Sequence, residues 1–180
     1  MIETTLEYHL CAMITSELLL RGHRYDLLRA DRDLSGYDIV IEANGVVRHI
    51  QLKTQIAGGR SVEVSAQIAL EAKPSACIVW TTYDPVTLRP VAWRFFGEKP
   101  GERITPLGDR VACHSRGKKT WRPEHRVIRA TRFKRIDDLE QLVDHLFGTD
   151  SREISLLVEH MNSLPSREDE PWLDAVRRGV

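Results

Sequence analysis

Ser35–Thr54 reads SGYDIVIEANGVVRHIQLKT, two β-type runs joined by Asn44-Gly45, the strongest short-range hairpin signal a sequence carries. A two-residue type I′ turn at that dipeptide pairs Ala43 with Val46. Counting back places Asp38 opposite Gln51, with Lys53 two residues further along the same face. Ile39, Ile41, Ile50 and Leu52 then take the other face. An acid, an amide and an ammonium on one side of a ribbon, with apolar residues on the other, is the layout of a site.

Outward from the hairpin, Leu6, Leu10, Ile14 and Leu18 recur at helical spacing over residues 3–21, and Gly22 stops that helix. A short strand is expected over Tyr25–Arg29, ahead of hairpin strands near 37–43 and 46–53. After a glycine-containing loop at 56–60, Ser61–Ser65 reads as a strand and Ala66–Lys73 as a helix ended by Pro74. Ala76–Trp80 is a continuous apolar run of strand length, as in a central strand covered on both faces. A turn over Tyr83–Leu88 leads to its hairpin partner, Pro90–Phe96. Lys99–Glu124, rich in glycine, proline and charge, reads as loops, and His125–Ala130 as one more short strand. Ile136, Leu139, Leu142, Val143, Leu146 and Phe147 mark a helix closed by Gly148. A further helix carries Ile154, Leu157, Val158 and Met161, capped by Asp150 or Ser151, and a polar tail follows from Pro165. The order of elements predicts one mixed α/β domain, which suits a chain of 180 residues.

Charge narrows the classes of function. Lys plus Arg number 26 and Asp plus Glu 26, so the molecule as a whole is no polycation, and a polyanionic partner has to be met by local clusters. Cys11, Cys77 and Cys113 are too widely spaced for a zinc pattern and read as reduced thiols of a cytoplasmic protein. Glu3, Glu7 and His9 interrupt the N-terminal apolar residues, unlike a signal peptide, and no run reaches the length of a membrane span.

The polar face of the hairpin suits phosphodiester hydrolysis. Mg²⁺ takes one or two carboxylates and keeps several waters, so a sparse, open site fits it. Asp38 is the direct ligand in this reading, Gln51 supplies an amide oxygen, and the Leu52 carbonyl lies between them. Lys53 can steer or deprotonate the attacking water, or balance negative charge in the transition state. One formal negative charge holds a cation weakly, so a second acid is sought. Glu7 stands in the middle of the helix's apolar stripe, where an isolated carboxylate is costly, whereas Glu17 projects toward its edge. Glu7 therefore ranks above Glu17. The bland alternative is a solvated hairpin face on which Asp38 and Lys53 form a diagonal ion pair of little worth.

Asp38, a dozen residues, then Gln51-Leu52-Lys53, all after a helix bearing Glu7, resembles the PD-(D/E)XK nuclease superfamily. More narrowly, QxK in place of the motif acid resembles its Mrr-like branches, and SELLLRGH, GYDIVIE and IQLKT fit the surrounding text. The resemblance covers roughly residues 5–82. It implies a restriction-endonuclease-like mixed sheet flanked by helices, a Mg²⁺ cofactor (with Mn²⁺ as a substitute) and a nucleic-acid partner, DNA first. It also implies that Asp38, Gln51 and Glu7 hold metal and that Lys53 completes the catalytic set. This chain departs from the pattern at the helix acid, because Cys11 stands where the family's Glu falls, one turn after Glu7. Residues 1–148 would form the nuclease-like domain, and 149–180 a C-terminal helix and tail packed on it or extending from it. A one-site domain that cuts both strands calls for a two-fold homodimer. The rival reading is a catalytically inactive module of the same fold that binds nucleic acid or another protein.

A second cluster holds Lys118, Lys119, Arg122, Arg126, Arg129 and Arg132 with Trp121 among them, and acids are sparse until Asp137. Such segregation can form a phosphate-binding face with an aromatic ring for stacking, or a solvated strand edge guarded by charge. Arg60, Lys73 and Arg94 are cations that could extend the face, in directions the sequence leaves open. Cys113-His114 lacks a partner at ligand spacing, and Gly58-Gly59 is too short to cradle phosphate. His49 shares the face of Gln51 and Lys53 but reads first as structural, and Trp80, Trp93, Phe95 and Phe96 read as core or interface aromatics.

Overall fold

A computed structural model of the chain describes residues 2–30, 35–114 and 120–148. Helix α1 spans Ile2–Leu20 and buries Leu6, Leu10, Cys11, Ile14 and Leu18, the stripe the spacing predicts. It ends in a Schellman arrangement: the Gly22 N–H donates to Leu19 O, the His23 N–H donates to Leu18 O, and Gly22 takes φ 75°. Strands β1 (Tyr25–Arg29), β2 (Ile39–Ala43) and β3 (Val46–Ile56) follow as an antiparallel meander. Asn44 and Gly45 take φ 51° and 71°, the left-handed pair that a type I′ turn requires, and Ala43 pairs with Val46.

Strand β4 (Glu63–Gln67) and a 3-10 turn (Ile68–Ala72) occupy the crossover to β5 (Ala76–Tyr83), which lies parallel to β3. The helix expected over Ala66–Lys73 is absent. Eight residues make a marginal helix, β4 is instead drawn into pairing with β8 (Thr120–Arg129), and Lys73 before Pro74 is extended at ψ 134°. Strand β6 (Pro90–Gly97) pairs with β5, and β9 (Lys134–Ile136) pairs with β6. The main sheet therefore runs β1-β2-β3-β5-β6-β9, and β4-β8-β7 forms a smaller second sheet, with β7 spanning Val111–His114.

Residues 99–124 are thus more ordered than their composition suggests. β7 and the first half of β8 lie there, and the β7–β8 ladder jumps from Val111↔Arg126 to Ala112↔Arg122. Pro123 sits in the bulge this leaves, one of the few places where a sheet tolerates proline. Helix α2 spans Leu139–Phe147, not from Ile136, which belongs to β9. Asp138 caps it by accepting the Gln141 N–H at 2.7 Å. The expected helix and tail of 149–180, together with Lys118 and Lys119, lie outside the described residues.

Two cores follow from strand alternation. Ile39, Ile41, Ile50, Leu52, Cys77 and Val79 face α1 and α2, while Ala76, Ile78, Trp80 and Phe96 pack with Ala66, Leu70, Ile128 and Phe133 beneath the second sheet. The hairpin's polar face is therefore roofed at its middle, not open to water along its length. Arg48 crosses the first core. It is 0 % exposed and donates to the carbonyls of Leu146 (2.5 Å), His145 (2.6 Å) and Glu98 (2.9 Å), which ties the end of α2 to the central strand. Among the described residues, no helix is long and apolar enough to cross a membrane.

Candidate active site

The ladder from the Asn-Gly turn reaches Ile39↔Ile50, and there β2 stops. Asp38 lies just beyond. Its N–H donates to Ile50 O at 2.9 Å, so the hairpin count that sets it against Gln51 shifts locally at this residue. Its carbonyl accepts the Ala30 N–H at 2.9 Å, and its carboxylate turns along the strand end to accept the Leu52 N–H at 2.6 Å. A charged acceptor on a backbone amide makes a strong bond, and it fixes the carboxylate beside Gln51-Leu52-Lys53. The Leu52 group that meets Asp38 is thus its N–H, not the carbonyl expected as a further ligand.

Gln51 and Lys53 point to the second core, level with Ile78 and Trp80 of β5. Gln51 is 2 % exposed, and its Oε1 finds no hydrogen-bond donor among the described residues. A buried amide oxygen without a donor is costly and is an acceptor in want of a partner. Lys53 is half-buried and makes no hydrogen bond or ion pair among the described residues, so the surface pair of Asp38 with Lys53 is not formed. His49 on the same strand is occupied structurally: its Nδ1 lies 2.8 Å from Pro74 O and its ring packs edge-on to Tyr37 at 5.0 Å.

Glu7 lies on the helix side of the sheet. Its carboxylate pairs with Arg29 at 3.2 Å, the residue whose backbone partners Ile39. Arg29 also stacks on Tyr8 at 4.2 Å. Burial raises the Cys11 thiol above its ordinary value; Arg29 draws it down, and Glu7 and Asp38 both push it up. The two acids therefore act on one thiol. Glu17 is elsewhere, bonded to Arg21 at 2.8 Å, which reaches on to Asp144 of α2.

Hard-cation chemistry wants oxygen donors, and Asp38 with the orphaned Gln51 oxygen fits a sparse Mg²⁺ that keeps most of its waters. Glu7 fits less well while Arg29 neutralises it. Among the described residues, no three His, Cys, Asp or Glu side chains gather closely enough to hold a metal. Asp38 and Gln51 together offer one acid and one amide oxygen, a sparser set than that.

The basic cluster divides. Arg132 donates to Leu107 O (2.5 Å) and Pro106 O (2.7 Å) and lies over Phe96, so it clamps a loop. Arg126 donates to Pro123 O at 2.5 Å and Arg122 contacts His125 at 2.5 Å, both within the bulge of β8. Arg129 is exposed and pairs in register with Glu63, and Trp121 is 62 % exposed. These residues do not converge on Asp38: Trp121 and Arg129 belong to the small sheet, Gln51 and Lys53 to the main one. A cleft of about 680 Å³ lies between β6 and α2, lined by Phe95, Glu98, Lys134, Asp144 and His145, also apart from the hairpin site.

Compared with known proteins, the chain matches no family model, and no curated protein matches it in sequence. The coordinates define a mixed α/β protein whose central hairpin carries Asp38, Gln51 and Lys53 at the junction of two cores.

Proposed function

We propose that the chain is a Mg²⁺-dependent nuclease that hydrolyses phosphodiester bonds in DNA in the cytoplasm. One observation carries the reading: the Asp38 carboxylate is fixed on the Leu52 N–H, beside a buried Gln51 oxygen and a Lys53 ammonium that find no donor and no ion pair, respectively, among the described residues. A cation bound there would supply Lewis-acid polarisation of the phosphate and a more acidic water. Asp38 and Gln51 would hold it, and Lys53 would position the attacking water or offset charge on the phosphoryl oxygens. Cleavage of both strands would need two copies about a two-fold axis.

The test is nicking of supercoiled plasmid. Wild type is expected to nick with Mg²⁺ or Mn²⁺ and not in chelator, and Lys53→Ala and Asp38→Asn are expected to lose at least ~100-fold in rate. Full nicking by Lys53→Ala refutes the assignment. One observation favours the second reading, a binding module with no hydrolytic activity: Glu7, the helix acid that would complete the site, is bound to Arg29 on the helix side of the sheet. In that case DNA binding is unchanged by Mg²⁺ and by Asp38→Asn, and no nicking occurs.

A further inference from the structure

We infer that Lys53, Arg94 and Arg135 form a phosphate-binding row across the main sheet, on which a nucleic-acid strand lies perpendicular to the β-strands. The ladders pair Lys53 with Trp80, Trp80 with Arg94, and Arg94 with Arg135, so these residues occupy one row on one face of β3, β5, β6 and β9. Strands lie ~4.8 Å apart, which puts Lys53 and Arg94 about 10 Å apart at the backbone and Arg135 one strand beyond. Trp80 is the floor between them. It is 1 % exposed, Phe133 packs edge-on to it at 5.5 Å, and the Arg94 guanidinium rests over its ring at 5.0 Å. That contact holds a cation in place before any ligand arrives.

Among the described residues of β3, β5 and β6, no acid shares the row or its flanks, and Asp137 follows just beyond the end of β9. The next row inward is Gln51, Ile78 and Phe96, and the next outward is Gln55, Thr82 and Ala92. Among the described residues, Lys53, Arg94 and Arg135 make no hydrogen bond or ion pair, whereas Arg48, Arg110, Arg126 and Arg132 are each tied to a carbonyl or carboxylate. Like charges on neighbouring strands repel. Three in register, one held on an indole, make a surface that a linear polyanion relieves. The row begins at Lys53, so a strand lying along it brings a phosphate to the hairpin site. It rests on the nuclease reading only through that shared lysine.

Binding is measured by fluorescence anisotropy with labelled single-stranded and duplex oligonucleotides in chelator, so hydrolysis plays no part. Arg94→Gln/Arg135→Gln is expected to bind at least ~10-fold more weakly and to lower the salt slope by about two, one per lost phosphate contact. Arg24→Gln/Arg89→Gln, with the same change in net charge, is expected to stay within twofold of wild type. Arg94→Lys/Arg135→Lys, which keeps both charges, is expected to retain most binding and controls for folding. Equal affinities for wild type and Arg94→Gln/Arg135→Gln overturn the row, as do equal losses in both Gln doubles. Wild-type binding to heparin but not to oligonucleotides overturns the nucleic-acid assignment. Binding through the row without nicking by wild type refutes the nuclease reading alone, and nicking with binding unchanged by Arg94→Gln/Arg135→Gln refutes the row alone.

Discussion

Replacing Arg48 with Met should destabilise the protein more than any surface change. The guanidinium is wholly buried and donates to three carbonyls at 2.5–2.9 Å, two of them in the last turn of α2, with a fourth, Ser75 O, at 3.4 Å. It also lies over Phe95 at 5.8 Å. Desolvation lowers its proton affinity from the ordinary arginine value, so part of what the bonds contribute is offset by the cost of the buried charge. Three hydrogen bonds to a cation, at roughly 1.5–3 kcal/mol each, set a gross loss of about 5–9 kcal/mol. Methionine refills much of the volume and removes the buried charge, which returns several of these. The net expectation is about 3–5 kcal/mol, because the buried carbonyls left behind are acceptors without a donor. For a chain of this size that is a fall in Tm of roughly 6–20 °C. Urea and thermal unfolding, followed by circular dichroism and tryptophan fluorescence, measure it. Arg48→Lys should recover little, because an ammonium cannot span carbonyls from three segments. A loss under about 1 kcal/mol for Arg48→Met would mean that desolvation cancels the bonds and that Arg48 does not hold α2 to the sheet.

Gly97→Ala should cost about 1–3 kcal/mol by overpacking, since a Cβ there would meet the Cys77 Cβ at 2.7 Å and the Cys77 Cα at 3.2 Å. Cys77→Ala keeps that Cβ and should not rescue it in the same urea titration. Alkali should unfold the protein through two buried acids, because burial pushes both the Cys77 thiol and the Tyr83 phenol up to about 12, from ordinary values of 9.0 and 10.0. The folded chain keeps protons that the unfolded chain releases, so their contribution is full below pH 9 and is lost as pH rises toward about 12. A stability profile of Cys77→Ala should be flatter from pH 9 upward, and one that tracks wild type would remove Cys77 as the cause.

What the sequence made legible was whatever local chemistry decides. The Asn44-Gly45 turn fixed the β2–β3 register to Ile39↔Ile50, the Leu6–Leu18 spacing gave the buried face of α1, and the apolar run at Ala76 gave the central strand. Distant pairing hid the rest. Ala66–Ala72 has helical composition, yet β8 takes β4 as a strand, and Pro123 masks β8 because its bulge exists only opposite β7. Gln51 is buried level with Ile78 of the second core, whereas hairpin alternation alone would place it on an open face. Arg29 as the partner of Glu7 was equally hidden, since its face depends on how β1 meets β2.

The β3-to-β5 crossover has a consequence for the order in which this chain acquires structure. β2 and β3 are joined by two residues and can zip as soon as both exist, and β5 can dock once the crossover is complete. β4, inside that crossover, has its strand ladder with β8, so among the described residues the pairing of residues 63–67 must wait for residues 120–129. Until then Ile78, Trp80 and Phe96 lie uncovered on a half-built sheet. A nascent or truncated chain that stops short of β8 therefore presents an apolar face beside an unpaired strand edge, the combination most prone to self-association.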